Sequence, residues 1–200
     1  MSNKFKGKIC SRSGLHPYNI SLLSSLIYHR GEEFALSWAK KVRENLARKP
    51  QGNDRSQVKA ISEGLCDISL GNTYYMGKML ENPLQREWAS RAGIIFPNQK
   101  TTGSHINITG VGITKSSRNL NLAKKLVEFL SEGLAQHLYA QVNHEYPLKK
   151  DVPLSGIVKS FGADQLEVNN GKFKKDLKAL VRLSDLRSKS IMLLNKAGFE

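Results

Sequence analysis

Two cysteines, Cys10 and Cys66, are all the thiol this 200-residue chain carries. That count excludes a disulfide-dense scaffold, and no Cys or His partner lies at ligand spacing from either, which excludes a thiolate metal cluster. The five histidines, His16, His29, His105, His137 and His144, show no i, i+4 pairing of the kind that holds zinc on a helix. No apolar run approaches the roughly 20 residues that span a bilayer, and Met1 to Lys8 lacks the apolar centre of a secretory signal, so nothing in the chain as written directs its export. Internal repeats and low-complexity tracts are absent. So is any nucleophile with a paired base, or any paired acid and base, and the chain does not read as an enzyme.

What is present is an ordinary globular balance, 40% apolar and 24% charged, which argues against disorder. The excess is in charge of one sign. Thirty-one Lys and Arg against 17 Asp and Glu leave a formal +14, which invites a nucleic-acid reading. The basic residues are spread along the chain, however, and the densest cluster, Lys172 to Lys178, is explained by a solvated helix face.

Several strand-to-helix turns organise the sequence. Leu65 to Leu70 reads as a buried strand of a parallel sheet, ended by Gly71-Asn72, after which Met76, Met79 and Leu80 recur at helical spacing. Asn72 or Thr73 is the expected N-cap, which puts Tyr74 and Tyr75 in the first helical turn at the carboxyl end of a strand, where open α/β sheets bind ligands. The tyrosine pair has two readings. In one, the rings are buried and the hydroxyls wet. In the other, both are phenolate ligands to a hard cation, their deprotonation favoured by the helix end and by the metal's charge.

Earlier in the chain, Gly7 to Cys10 reads as a strand running through Ser11-Arg12-Ser13-Gly14 into a helix with Ile20, Leu23 and Ile27 on one stripe. That loop is either an anion site, with backbone N–H groups, two hydroxyls and a guanidinium, or a plain polar connection. Gly31 breaks the helix, and a second helix carries Phe34, Trp38, Val42 and Leu46 at i, i+4, i+8 and i+12 as core. Asn53 or Asp54 caps a helix ending at Gly64; Asn53 could also donate to a ligand. Cys10 and Cys66 sit on the two strands, as buried thiols or, in an oxidising compartment, as a disulfide. Further on, Ile94-Ile95-Phe96 and Ser104 to Thr114 read as strands, Leu122 to Leu138 as one strong helix, and residues from Val152 as helices with loops.

These blocks carry a resemblance. Lys8 to Gly14 with His16-Pro17-Tyr18-Asn19, Ala47 to Arg55, Leu70 to Tyr75, Ile95 to Asn98, His105 to Gly110 and Asn143 to Pro147 together resemble the ferric-ion-binding proteins of bacterial iron ABC transporters. The resemblance implies an α/β, type II periplasmic-binding-protein fold. It implies ferric iron held by Tyr18, Tyr74 and Tyr75 in a cleft between two lobes, and carbonate or another synergistic anion near Ser11, Arg12, Ser13, Gly14 and Asn53. It raises the expectation of a Cys10–Cys66 disulfide in an exported form. The implied protein is a periplasmic monomer that hands iron to an inner-membrane permease and does not bind nucleic acid. The alternatives are the same fold holding another small anionic solute, or a basic nucleic-acid-binding domain.

The match falls on the later part of the family's length, so an N-terminally truncated version is expected, without the first-lobe His or Tyr ligand. Residues 1–103 then form most of the second lobe. Residues 104–145 are a crossover strand and helix of the first lobe, and 146–200 are C-terminal helices of the second. Exposed apolar surface is expected on Ile106, Ile108, Val111 and the Leu122 to Leu138 stripe.

Overall fold

The structure is a computed structural model that describes residues 3–200. At its centre, β1 (Ile9–Cys10) pairs in parallel with β2 (Ile68–Ser69), Ile9 opposite Ile68 and Cys10 opposite Ser69. A further parallel bridge joins Ile9 to Leu46. The helices in chain order are α1 (Pro17–Glu44), α2 (Asp54–Ser62), α3 (Thr73–Glu81), α4 (Arg86–Ser90), α5 (Leu120–Ser131), α6 (Gly133–Val142), α7 (Gly156–Lys159), α8 (Leu177–Leu180) and α9 (Leu183–Ala197). The result is a helix-rich α/β unit.

Helix α1 begins with proline at its first position, where the missing N–H costs nothing. His16 caps it, its Nδ1 accepting from the Tyr18 amide at 3.3 Å. Gly31, at φ 80° and ψ 170°, breaks the helical path in the middle, as its sequence position indicates. The core behind α1 joins Ile9, Ile20, Leu23, Ile27, Ala35, Ala39 and Val42 to Leu193, Leu194, Ala197 and Phe199 from the chain's end. The left-handed Gly198, φ 64°, turns Phe199 back into that core. A second core gathers Val58, Met76, Met79, Ala89, Phe96, Val158, Phe161 and Val168 beneath α2 and α3.

The sheet is smaller than the sequence pattern predicts. Leu65 to Leu70 contributes only the two residues of β2, and Leu65 and Ile68 are 44% and 39% exposed rather than buried. Cys66 lies just before β2 instead of on it. Ile94 to Phe96 is not a strand either: the Phe96 N–H donates to Gln165 Oε1 at 2.7 Å and Gln165 Nε2 donates to the Phe96 carbonyl at 2.9 Å. One glutamine side chain thus stands in for a neighbouring strand. Ser104 to Thr114 is extended, but after a single bridge from Ser104 to Lys175 it finds no ladder partner among the described residues.

The Leu122 to Leu138 helix is two helices, because Glu132 adopts an extended ψ of 164° between α5 and α6. Its apolar stripe lies open, with Leu122, Leu126, Leu134 and Leu138 all more than half exposed. Ile108 and Val111 are likewise exposed, whereas Ile106 is half-buried. No helix among the described residues is long and apolar enough to cross a membrane.

Candidate metal centre

The two parallel strands deliver two helix N-termini to one end of the sheet. Tyr18 lies in the first turn of α1, and Tyr74 and Tyr75 in the first turn of α3. The strand ends are cross-linked just behind them: a disulfide joins Cys10 to Cys66 with their Cα atoms 5.9 Å apart. The structure brings the three phenols together. Tyr18 Oη lies 3.2 Å from Tyr74 Oη, and the Tyr74 and Tyr75 rings stack with centroids 4.2 Å apart. All three are half-buried.

Electrostatics around the cluster is mixed. Burial pushes the Tyr74 hydroxyl well above its ordinary value, and hydrogen bonds and like charge from Tyr18 and Tyr75 push it the same way. Without a cation, then, Tyr74 stays a neutral phenol. Two arginines flank the cluster. The Arg12 guanidinium lies 5.1 Å from the Tyr18 ring centre, and that of Arg55 lies 5.9 Å from the Tyr75 ring centre. Each has a buried Nε with no hydrogen-bond partner among the described residues. The His16 ring packs edge-on against Tyr18 at 4.5 Å, and burial, followed by the Arg12 charge, lowers its pKa. His16 is thereby kept neutral as the acceptor that caps α1.

The Ser11 to Gly14 loop is tied mostly to itself. Ser11 Oγ donates to the Arg12 carbonyl at 2.8 Å, and Ser13 Oγ accepts from the Leu15 amide at 3.1 Å. Asn19 Nδ2 binds the Arg12 and Ser13 carbonyls at 3.3 and 3.0 Å. Gly14 is pressed against the chain's end, where a Cβ would meet the Phe199 carbonyl oxygen at 2.0 Å. Arg12 pairs with Asp54, Nη1 to Oδ1 at 2.8 Å. Asn53 is the N-cap of α2, its Oδ1 accepting from the Ser56 amide at 3.2 Å. Of this group, Arg12 is the residue whose side chain lies over the Tyr18 ring.

Asn72 occupies the N-cap position of α3 but makes no side-chain cap bond. Its Oδ1 accepts from Asn107 Nδ2 at 3.0 Å instead, which reaches across to the extended segment. The first-turn amides of α3 therefore lack a cap, and the positive end of the helix faces the phenols. Asp54 and Arg55 were not singled out as site residues from sequence, where Asp54 reads as one more helix cap. The available signal was an acidic residue directly before an arginine at a helix start, beside a loop already carrying Arg12. Among the described residues no group of three or more His, Cys, Asp or Glu side chains converges to hold a metal. Phenol oxygen is a donor type that suits a hard cation.

Known proteins extend this picture. Residues 1–164 match the family model described as bacterial extracellular solute-binding protein. Iron uptake protein A1 of Synechocystis sp. is 42% identical over 199 residues, which cover 98% of this chain and 53% of that protein. The apo ferric-ion-binding protein A of Pasteurella haemolytica superposes with a TM-score of 0.91 at 44% identity, over 99% of this chain and 59% of its own. A Trichodesmium protein solved in complex with iron and citrate ligands superposes with a TM-score of 0.89 at 37% identity, over 100% of this chain and 61% of its own. The chain spans a little over half the length of these relatives. With a family model matched over most of its residues and the fold shared at high superposition, the chain belongs to the bacterial extracellular solute-binding protein family.

Proposed function

We propose that this chain carries the phenolate half of a ferric-iron site in the solute-binding component of a bacterial ABC importer, and that it is not an enzyme. The observation that carries the reading is the convergence of Tyr18, Tyr74 and Tyr75, with two hydroxyls 3.2 Å apart at the mouth of two helix N-termini. As neutral phenols Tyr18 and Tyr74 share a hydrogen bond, and as bare phenolates the three would repel one another. One trivalent cation in place of their protons offsets that repulsion. Ferric iron is then the cargo, captured as phenolate and passed to an inner-membrane permease from a periplasmic location. The Cys10–Cys66 disulfide favours that oxidising compartment. The relatives named for ferric iron support the identity of the cation.

On this reading the segment 104–145 belongs to a first lobe that closes over the metal, while 1–103 and 146–200 make up the second. The open stripe on α5 and α6 supports that division. The synergistic anion is citrate or carbonate, with Arg12 as its contact, since its unpartnered Nε lies beside the phenols. Citrate has support from the Trichodesmium relative.

The test is a ferric titration at neutral pH, following the visible phenolate-to-iron charge-transfer band. A band that disappears in the Tyr74→Phe, Tyr75→Phe double variant is the expected result. Ferric binding left unchanged by that substitution would overturn the assignment.

A further inference from the structure

One buried carboxylate is hydrogen-bonded to both chain segments that lead into the tyrosine cluster. Asp54 opens α2 with its side chain only 3% exposed. Its Oδ1 accepts from Arg12 Nη1 at 2.8 Å, and Arg12 lies over the Tyr18 ring. Its Oδ2 accepts from the Asn72 amide at 2.8 Å, two residues before Tyr74. Gly71 lies flat over the same group, where a Cβ would come 3.4 Å from Oδ2. Tyr18 and Tyr74 belong to segments 56 residues apart in sequence, and Asp54 is bonded to both segments from a third element.

We propose that Asp54 is the positioning residue of the phenol cluster, a strut whose two oxygens set the distance between the Tyr18 turn and the Tyr74–Tyr75 turn. The functional consequence rests on the ferric-iron reading, whereas the geometric one does not. A buried carboxylate keeps fixed geometry when each of its oxygens is committed to a bond, and breaking one leaves a partner unsatisfied in low dielectric. Without Asp54, the 13%-exposed Arg12 side chain loses its counter-charge and the Asn72 amide loses its acceptor. The disulfide fixes the strand ends behind the cluster, but it contacts neither tyrosine turn directly. Strand pairing and cross-link therefore bring the two turns near each other, and the carboxylate sets their final spacing.

The experiment compares the full chain with Asp54→Asn, Arg12→Gln and the double variant. Asparagine keeps the shape and can still accept from Asn72, but it drops the charge pair. Two readouts are taken: the NOE cross-peak between the Tyr18 and Tyr74 rings without metal, and ferric affinity from the charge-transfer band. Each single variant is expected to weaken the cross-peak and to lower ferric affinity roughly tenfold, the value of one charge-assisted hydrogen bond. The double variant should lose little more than either single one, because both cut the same strut. A folded Asp54→Asn protein with an unchanged cross-peak, or fully additive losses in the double variant, overturns the proposal. Should Asp54→Asn not fold, Arg12→Gln cuts the same arm from the other side and is read by the metal-free cross-peak alone, since Arg12 is also the proposed anion contact; an unchanged cross-peak there overturns the proposal. If the Tyr74→Phe, Tyr75→Phe variant keeps its band, the iron reading fails alone, and the cross-peak still decides the role of Asp54.

Discussion

Replacing both cysteines by alanine should cost this chain about 4 kcal/mol of stability, and the figure follows from topology. The cross-link joins residues separated by 56 positions, and loop-closure entropy for a ring of that size lies between the roughly 3 and 4.7 kcal/mol given by 15- and 100-residue rings. Little native packing opposes or adds to this. Cys10 and Cys66 share a small cluster with Ala60, bordered by Ala47 and Ile61, in which alanine also fits. Urea unfolding followed by circular dichroism is the assay. With a slope of about 2.5 kcal/mol per molar for a chain of this size, the midpoint should fall by about 1.6 M. Both cysteines are buried, at 0% and 3% exposure, so a mild reductant added to the native protein should act only at the rate of unfolding. A loss below about 1 kcal/mol would refute the reasoning. It would mean either that the bond is not closed or that the unfolded chain already holds the two strand ends together.

Acid should weaken the start of the extended segment. Burial pushes the His105 imidazole down to about 4, so between about 6.5 and 4 the unfolded chain binds a proton that the folded chain refuses. Stability therefore falls as pH drops through that window, by on the order of 3 kcal/mol, and a His105→Gln variant should flatten the slope in pH-dependent melting. Gly77→Ala would place a Cβ 2.5 Å from the His144 side chain. It should cost about 1–3 kcal/mol in denaturant unfolding and displace α3, hence the tyrosine pair. Leu126→Gln and Leu134→Gln, at positions 54% and 63% exposed, should change the stability of this chain by less than about 0.5 kcal/mol while raising its solubility limit in a precipitation assay.

The tyrosine turn was readable because its signals are local. Gly71-Asn72 ends an apolar run and a helical stripe begins at Met76, so Tyr74 and Tyr75 had to fall in a first helical turn. Gly31 as a break and Gly198 as a stop were readable for the same reason. What failed depends on partners far away in the chain. Ile94 to Phe96 has a strand's composition, yet the backbone N–H and carbonyl of Phe96 are taken by Gln165, 69 residues on. Ser104 to Thr114 alternates as a strand should, but a ladder needs a second strand and the segment has one bridge. Asn72 is the N-cap residue as its position indicates, but its side chain bonds Asn107 instead of a helix amide. Asp54 is the sharpest case. A helix-start aspartate has an adequate local explanation, and only the fold shows that Arg12 and Asn72 arrive on its two oxygens.

The cluster is built so that binding strength depends on more than its own three oxygens. Tyr18, Tyr74 and Tyr75 come from two adjacent helix ends on the same small sheet. On the ferric-iron reading proposed above, a cation bound by these phenols would take its remaining ligands from the anion and from a second lobe, and their arrival would also expel water, which strengthens every charge interaction at the site. A second lever lies in the phenols themselves, because burial and Tyr18 hold Tyr74 far above its ordinary pKa. Each bound phenolate must release its proton, so affinity falls about tenfold per pH unit for every phenol that ionises on binding. Three ionising phenols give a slope of three in the logarithm of the affinity against pH, and Tyr74→Phe should reduce that slope by one. A slope that stays unchanged in the variant would show that Tyr74 binds nothing, whatever its distance to Tyr18.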